Sequence, residues 1–221
     1  MKNNESIEIS TRHSKKAVMD SVISSTEILV FSYLISFPFP YKTIAFIPLI
    51  MVAYIISRNI SSLRLFQQIL SKKTSSLQLG IYCFIGLLLG LAGAMFYRGS
   101  LGTPIFPEVI KPFVIIAMSI GIMEELIFRG FIQTQMSQMN SHFAIFFSAL
   151  VHALYKAFLF LSPTAIPHEN LMLFFTVSFA AYIIFGIMRH KSQSLLPTII
   201  SHAVFDFIVY AELSHAPWWV W

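Results

Sequence analysis

Residues 77–97, LQLGIYCFIGLLLGLAGAMFY, are the clearest indication in the sequence of the kind of fold that the chain adopts. This stretch contains no charged side chain, and an α-helix needs about 20 mostly apolar residues to cross the hydrocarbon core of a bilayer. Gly86 and Gly90 form a GxxxG pattern that Gly93 continues, and this spacing permits close contact with a second helix. The stretch therefore predicts a transmembrane helix with a face of small residues.

The rest of the chain shares this apolar character. Of its 221 residues, 56% are hydrophobic and 11% are charged, whereas soluble domains have roughly 45–50% and about 25%. A soluble domain of this size cannot hide so much apolar surface, because its own surface needs polar cover. The composition excludes an ordinary globular protein, a disordered chain and a collagen-like fibre, and it predicts a polytopic membrane protein.

Seven segments of the chain are candidate spans. They are residues 18–37, 41–57, 77–97, 109–135, 143–161, 170–188 and 193–213. The first carries Asp20 and Glu27, and the second is short and contains Pro48, so these two can also form a hairpin. The expected fold is an all-α transmembrane helical bundle of about seven spans, within a range of six to eight.

The segment 58–73 differs from the spans because apolar residues alternate there with Arg, Gln and Lys. Ile60, Leu63, Phe66 and Leu70 recur at helical spacing. This pattern predicts an amphipathic helix that lies on the inner membrane surface, with an ordinary basic loop as the alternative. The basic residues are spread between apolar segments, so the net charge of +5 indicates no nucleic-acid partner.

The distribution of Lys and Arg predicts an orientation. If the N-terminus lies in the cytoplasm, ten Lys and Arg residues lie on the inner side of the membrane. They belong to the tail, to the 58–73 segment and to the 189–192 turn, and they are Lys2, Arg12, Lys15, Lys16, Arg58, Arg64, Lys72, Lys73, Arg189 and Lys191. Only Lys42 and Arg98 fall in outer loops. Such a bias is typical of an integral membrane protein with a cytoplasmic N-terminus, and we expect it in a prokaryotic cell (inner) membrane.

We divide the chain into four parts on this basis. They are a polar cytoplasmic tail (1–17), N-terminal transmembrane and interfacial helices (18–106), a transmembrane core (107–213) and an aromatic C-terminal tail (214–221). The core is distinguished by ionisable residues inside apolar segments, namely Glu124, Glu125, Arg129, His152, Lys156, His202 and Asp206. Each such group costs roughly 2.5–3.5 kcal/mol at a helix centre, so it needs a partner and indicates function.

Three of these residues are predicted to lie at one depth. Glu124, His152 and His202 each stand about nine to eleven residues from the inner end of a different span, which is roughly 14–17 Å at 1.5 Å per residue. Glu125 and Arg129 are four residues apart and can pair on one helix face. His202 and Asp206 have the same spacing. We interpret Lys156 as a counter-charge or a snorkelling side chain.

These residues resemble the motifs of a known family. Residues 124–130, EELIFRG, look like the EExxxR motif of the CAAX prenyl endopeptidase and bacteriocin-processing (CPBP, or Abi) intramembrane proteases. His202 and Asp206 resemble the family's last motif, HxxxN/D, and His152 resembles the His of its middle motif, FxxxH. The resemblance covers residues 107–213. It departs from the family pattern at Ser148, where the middle motif has Phe.

The resemblance implies an intramembrane endopeptidase that acts on a protein or peptide substrate. Glu124 would activate water, Glu125 and Arg129 would support it, and His152, His202 and Asp206 would complete the catalytic site. Both glutamate-only and metal-dependent mechanisms are proposed for this family. Two His with a Glu suit Zn²⁺, so a zinc ion on His152, His202 and Glu124 is one expectation, and no other cofactor is expected.

Two other functions are compatible with the sequence. A non-catalytic immunity or regulatory protein could keep the same scaffold, and the Ser148 departure motivates this alternative. A small proton-coupled transporter could also use carboxylates and histidines at mid-membrane depth, although the chain has no clear inverted repeat. The bilayer is the common partner of all three, and the GxxxG spacing does not by itself indicate an oligomer.

Overall fold

The computed structural model describes residues 2–60, 70, 75–166, 170–215 and 217–221, with side chains described from residue 15 onward. Within these ranges the chain contains no β-strand. Seven helical segments make up the described bundle: α1 (Lys2–Leu34), α2 (Phe46–Asn59), α3 (Ser76–Ser100), α4 (Phe113–Glu125, continued by the π-helical Leu126–Ile132 and by Gln133–Met136), α5 (Ser141–Phe158), α6 (Leu171–Ser192) and α7 (Leu196–Tyr210). The predicted all-α bundle is confirmed.

Each predicted span overlaps one of these helices, and the ends differ. α1 begins at Lys2, so it includes most of the segment assigned to a polar tail. α4 begins at Phe113 rather than at residue 109, because Pro112 occupies its N-cap. Of the segment 58–73, residues 61–69 and 71–73 lie outside the described residues, and the amphipathic helix stays a prediction there.

Four described segments are long and apolar enough to cross a membrane by length and composition. They are Lys15–Leu34, Tyr41–Asn59, Ser76–Ser100 and Leu171–Ser192, while Leu196–Tyr210 is apolar but shorter. The ionisable residues of the core lie instead on α4, α5 and α7. This division is expected if the longer apolar helices face lipid and surround a more polar centre.

Asp20 shows how the first span accommodates a charged residue. Its side chain is buried, at 2% exposure. It accepts hydrogen bonds from Nη2 of Arg58 at 2.7 Å and from Nδ2 of Asn59 at 2.9 Å. An ion pair removes most of the penalty that an isolated carboxylate would have in this setting. Asp20 therefore links α1 to the end of α2.

The glycines of α3 set the position of α7. A Cβ atom on Gly86 would collide with the carbonyl oxygen of Pro197, and one on Gly90 would collide with the carbonyl oxygen of Ser201. Only glycine permits backbones to approach this closely. The GxxxG pattern therefore packs two helices of the same chain together. It also fixes the position of α7, and with it the height of His202, relative to α3.

A polar network ties the loop after α3 to the end of α7. The buried Arg98 donates from Nε to the carbonyl oxygen of Pro104 at 2.6 Å and from Nη2 to Glu212 at 3.0 Å. The backbone N–H of Glu108 donates to Glu212 at 2.8 Å. That hydrogen bond, together with Arg98, lowers the pKa of Glu212 below its usual value. Segments predicted to lie on the outer side therefore lie together.

Contacts at the inner ends of the helices also join segments that are predicted to lie on one side of the membrane. The backbone N–H of Leu195, at the start of α7, donates to the carbonyl oxygen of Leu70 at 2.8 Å. The Asp20–Arg58 pair joins two further segments that the charge distribution places inside. The alternation of sides along the predicted spans is thus compatible with the contacts between the described helix ends.

Candidate active site

The site begins at a change of helical geometry in α4. Residues Leu126–Ile132 form a π-helical segment, in which hydrogen bonds run from i to i+5 and side chains are re-aimed. The hydroxyl of Ser148 donates to the carbonyl oxygen of Phe128 at 2.7 Å, and that of Thr134 donates to the carbonyl oxygen of Arg129 at 3.3 Å. Ser148, the departure from the family motif, thus satisfies a buried backbone carbonyl of this segment.

Glu124 lies at the centre of the site, between three other ionisable side chains. Its Oε2 is 2.9 Å from Nε2 of His152 and 3.7 Å from Nε2 of His202, and its Oε1 is 2.5 Å from Nζ of Lys156. Glu124 is 4% exposed. The structure therefore brings together the Glu and the two His that the sequence places at one depth on three helices.

His152 is held by hydrogen bonds at both ring nitrogens. Its Nδ1 contacts Nη1 of Arg129, and a guanidinium can only donate, so Nδ1 accepts this hydrogen bond. The ring proton is therefore assigned to Nε2, which donates to Glu124 at 2.9 Å. The imidazole ring also stacks between Phe128 at 3.9 Å and Tyr182 at 3.7 Å, as centroid distances. Aromatic rings from α4 and α6 thus contact this His, whereas the family motif has a Phe on the same helix as the His, which is α5 here.

Glu125 and Arg129 form the predicted ion pair, at 3.2 Å between Oε1 and Nη1, and both are fully buried. Arg129 also donates to the carbonyl oxygen of Tyr182 at 3.2 Å, and its guanidinium lies 4.8 Å from the centre of the Tyr182 ring. Glu125 in turn lies 3.1 Å from Nδ1 of His202. The pair therefore orients both histidines as well as neutralising one carboxylate.

Asp206 is next to His202 but does not hydrogen-bond to its Nε2. The separation between Oδ2 and Nε2 is 3.8 Å, which is too long for a hydrogen bond. Asp206 is 5% exposed and faces Gly121 of α4, where a Cβ atom would collide with Oδ2. His202 and Asp206, which the sequence places four residues apart, therefore interact electrostatically without a hydrogen bond, at the point where α4 crosses α7.

Two side chains have a larger part in the site than the sequence indicates. Lys156 contacts Glu124 directly and is 12% exposed, so of its two predicted roles the structure shows the counter-charge. Tyr182 was not predicted at all. It lies on α6, which has no ionisable residue in its central part, and nothing in the sequence distinguishes it from the other aromatic residues of the spans.

The arrangement gives little support to a zinc ion. Among the described residues, no group of three or more His, Cys, Asp or Glu side chains is spaced to hold a metal ion. Both nitrogens of His152 are engaged, and the ammonium of Lys156 lies against one oxygen of Glu124. A zinc ligand must offer a free lone pair, and His152 offers none as arranged here, so it does not fit this role. A zinc ion at the site stays an expectation from the sequence.

Comparisons with known proteins agree with the motifs. Residues 106–208 match the family model described as type II CAAX prenyl endopeptidase Rce1-like. The matched segment contains the whole cluster built around Glu124, from the start of the transmembrane core to α7. No curated protein and no solved structure matches the chain. The resemblance to this family is confirmed over residues 106–208, which are just under half of the chain and contain the site.

Proposed function

We propose that this chain, whose core matches the type II CAAX prenyl endopeptidase Rce1-like family, hydrolyses a peptide bond of a membrane-associated substrate through water activated by Glu124. The observation that supports this most is the position of Glu124. A buried carboxylate lies between two His and a Lys, at a position along the spans for which the sequence predicts mid-membrane depth. A cluster of this kind, inside a helical bundle, is typical of a functional site.

In the reaction that we propose, Glu124 is the general base. Glu124 accepts a proton from water, and the water oxygen attacks the carbonyl carbon of the scissile peptide. The electron pair of the C=O bond moves to its oxygen and gives a tetrahedral oxyanion. When the oxyanion collapses, the C–N bond breaks and the proton on Glu124 passes to the leaving amine. One water is consumed, and the products are a carboxylate and an amine.

The neighbouring residues hold these groups in place. Nε2 of His152 donates to Glu124, which fixes the orientation of the carboxylate. We assign His202, with both ring nitrogens protonated, and a protonated Asp206 to the charge that develops on the substrate. Nδ1 of His202 donates to Glu125, and its Nε2 lies beyond hydrogen-bond distance of Glu124 and Asp206, so Nε2–H can donate to the substrate. Donors aimed at a developing charge in a site that excludes water supply the largest part of many rate enhancements.

For substrate and location, we infer a prenylated peptide with a CAAX sequence, as the description of the matched family states for that family. We place the protein in a prokaryotic inner membrane with a cytoplasmic N-terminus. The prenyl chain would bring the substrate to the bilayer, since each buried CH₂ contributes about 0.8 kcal/mol to membrane binding.

The test is cleavage of a farnesylated, fluorescence-quenched CAAX peptide by the full chain in proteoliposomes. Wild type is expected to cleave it, and Glu124→Gln is expected to be slower by about 10²–10⁴-fold, because a general base contributes about that much. Glu27→Gln is the matched control, as Glu27 is a carboxylate of α1 in the same kind of apolar span. Cleavage by Glu124→Gln at the wild-type rate, with both proteins folded, contradicts the proposal.

The non-catalytic alternative has lost part of its motivation. It rested on Ser148, and that residue now has a structural reason in its hydrogen bond to Phe128. The transporter alternative is not favoured by any contact among the described residues.

A further inference from the structure

Three buried side chains of α4 carry a polar atom that has no hydrogen-bond partner among the described residues. These unpartnered atoms are Oε2 of Glu125, Nε of Arg129 and Oε1 of Gln133. The hydroxyl of Thr198 lies near Glu125, but it donates its one proton to the carbonyl oxygen of Leu195 at 3.0 Å. Glu125 and Arg129 are fully buried, and Gln133 is 6% exposed. Buried polar atoms nearly always bind another protein group or an ordered water, because leaving one unpaired costs free energy.

The three side chains lie on one face of α4, next to α6. Glu125 forms an ion pair with Arg129 on this face. Arg129 donates from Nη2 to the carbonyl oxygen of Tyr182 at 3.2 Å, and Gln133 donates from Nε2 to the carbonyl oxygen of Gly186 at 3.0 Å. Both acceptors belong to α6 and are one helical turn apart. The unpartnered atoms therefore follow the line of contact between α4 and α6.

This line leads from the inner end of α4 to the centre of the site. Gln133 begins the last turn of α4, which ends at Met136 on the predicted inner side. Glu125 precedes it by eight residues, which is roughly 12 Å at 1.5 Å per residue. Glu125 follows Glu124 directly and lies 3.1 Å from Nδ1 of His202. One end of the line is thus near the inner surface, and the other adjoins the proposed general base.

The order of the unpartnered atoms is complementary to water. The oxygens of the Glu125 carboxylate and of the Gln133 amide can only accept a hydrogen bond, and Nε of Arg129 can only donate one. Acceptor, donor and acceptor therefore alternate along α4. A water molecule both donates and accepts, so one water that bridges Arg129 to either neighbour satisfies two of these atoms. A cation or an anion would satisfy atoms of one kind only.

We propose that a file of bound water runs along the contact between α4 and α6 and supplies the water that the proposed hydrolysis consumes. Glu125, Arg129 and Gln133 bind this water, and Gln133 is the member nearest to the inner surface. The reaction consumes one water for each peptide bond, and the hydrocarbon core around the bundle contains none. This inference rests on the proposed function, and it adds Gln133 to the residues that act in it.

The experiment is hydroxyl-radical footprinting with X-ray pulses, followed by mass spectrometry, on the full chain in proteoliposomes. Radicals that form from a bound water oxidise the side chains next to it, even where those side chains are buried. Tyr182 is expected to be oxidised, because the centre of its ring lies 4.8 Å from the guanidinium of Arg129. Phe131 is expected to stay at background, since it is buried on α4 among apolar side chains. Each rate is corrected for the intrinsic reactivity of the residue type.

Gln133→Met removes the polar atoms of this side chain at similar volume. It is expected to lower the oxidation of Tyr182, and to lower kcat for the farnesylated CAAX peptide by about tenfold, the effect of one lost hydrogen bond. Ser24→Ala is the matched control, because Ser24 also has a buried hydroxyl without a partner among the described residues but lies on α1. It is expected to leave both quantities unchanged.

The sign of the change distinguishes water binding from a structural role. If Gln133 only held α6 through the carbonyl oxygen of Gly186, Gln133→Met would loosen this contact and raise the oxidation of Tyr182, which would overturn the inference. An unchanged oxidation of Tyr182 in this variant would overturn it as well. So would background oxidation of Tyr182 in wild type, and that measurement is decisive even if Gln133→Met does not fold.

Failure of this inference is separable from failure of the proposed function. If Tyr182 is oxidised in wild type but the peptide is not cleaved, the proposed function fails, and the role of the water in supplying it fails with it. If wild type cleaves the peptide, Glu124→Gln does not, and Tyr182 stays at background, only the inference on the water file fails.

Discussion

At the scale of single residues, the orientation of His152 depends on groups from two other helices, α4 and α6. Arg129 of α4 fixes the protonation of its ring, Glu124 accepts from its other nitrogen, and Tyr182 of α6 stacks on its face. Tyr182 also binds Arg129, through its carbonyl oxygen and through its ring. Loss of the ring would therefore loosen both the His and the Arg that orients it.

We expect Tyr182→Leu to lower kcat by about tenfold, since the stacking of one aromatic pair contributes about 0.5–1.5 kcal/mol and about 1.4 kcal/mol corresponds to tenfold in rate. Tyr182→Phe keeps the ring and is expected to stay close to wild type. Peptide cleavage with both variants, at matched folding stability, checks this. Equal rates for Tyr182→Leu and wild type would show that the ring does not position His152.

The residues of the site were predictable only where charge and motif coincide. Glu124, His152 and His202 could be predicted because an ionisable group inside an apolar span is costly and therefore conspicuous. Tyr182 could not, because an aromatic residue in a span looks the same whether it faces lipid or a catalytic His. The contact of Lys156 with Glu124 depends on tertiary packing, which no local spacing reveals.

At the scale of helices, the close approach of α3 and α7 sets the height of His202. Gly86 and Gly90 lie against main-chain carbonyls in the first and second turns of α7, those of Pro197 and Ser201. The sequence correctly predicted close helix contact from the GxxxG spacing. It did not identify the partner helix, because small residues pack equally well against any helix that offers a smooth face.

A pair of glycine substitutions tests this contact. Gly90→Ala is expected to destabilise the protein by about 1–3 kcal/mol, the usual cost of overpacking, because its Cβ would collide with the carbonyl oxygen of Ser201. Gly80→Ala is expected to be neutral or to stabilise by up to about 1 kcal/mol through helix propensity, because nothing lies within 4 Å of a Cβ there. Thermal unfolding in detergent measures both. Equal shifts for the two variants would mean that Gly90 does not mark a tight crossing.

The π-helical segment of α4 is the element that sequence reasoning missed. A uniform α-helix was expected over 109–135, and the i,i+4 relation of Glu125 and Arg129 was predicted on that basis. The pair forms nonetheless, and Ser148 and Thr134 bind carbonyl oxygens within the segment. The Ser148 contact comes from α5, and the periodicity of a single helix does not reveal such a contact.

At the scale of the whole molecule, the charge distribution and the helix contacts describe the same alternation of sides. The Arg98–Glu212 and Ser36–Thr164 contacts join segments predicted outside, and the Leu195–Leu70 contact joins segments predicted inside. The order of the helices could be predicted because hydropathy and charge are properties of consecutive residues and can be read directly from the sequence. The ends of the helices were less accurate, because caps such as Pro112 decide them locally.

The orientation itself is open to a direct test. We expect a cysteine at Lys191 to react with a membrane-impermeant maleimide only after cells are opened, and one at Ile105 to react on intact cells. Both changes are made in a Cys83→Ala background, since Cys83 is the only cysteine of the chain. Both positions are exposed. Labelling of the Lys191 site on intact cells would reverse the proposed topology.

The central claim is that Glu124 activates the water that cleaves the peptide. The most direct measurement is cleavage of the farnesylated CAAX peptide in ¹⁸O-labelled water, followed by mass spectrometry of the products, with wild type and Glu124→Gln compared at equal folding stability. The account predicts one ¹⁸O atom in the new carboxylate with wild type, and no labelled product above background with Glu124→Gln. Labelled product from Glu124→Gln at the wild-type rate would contradict it.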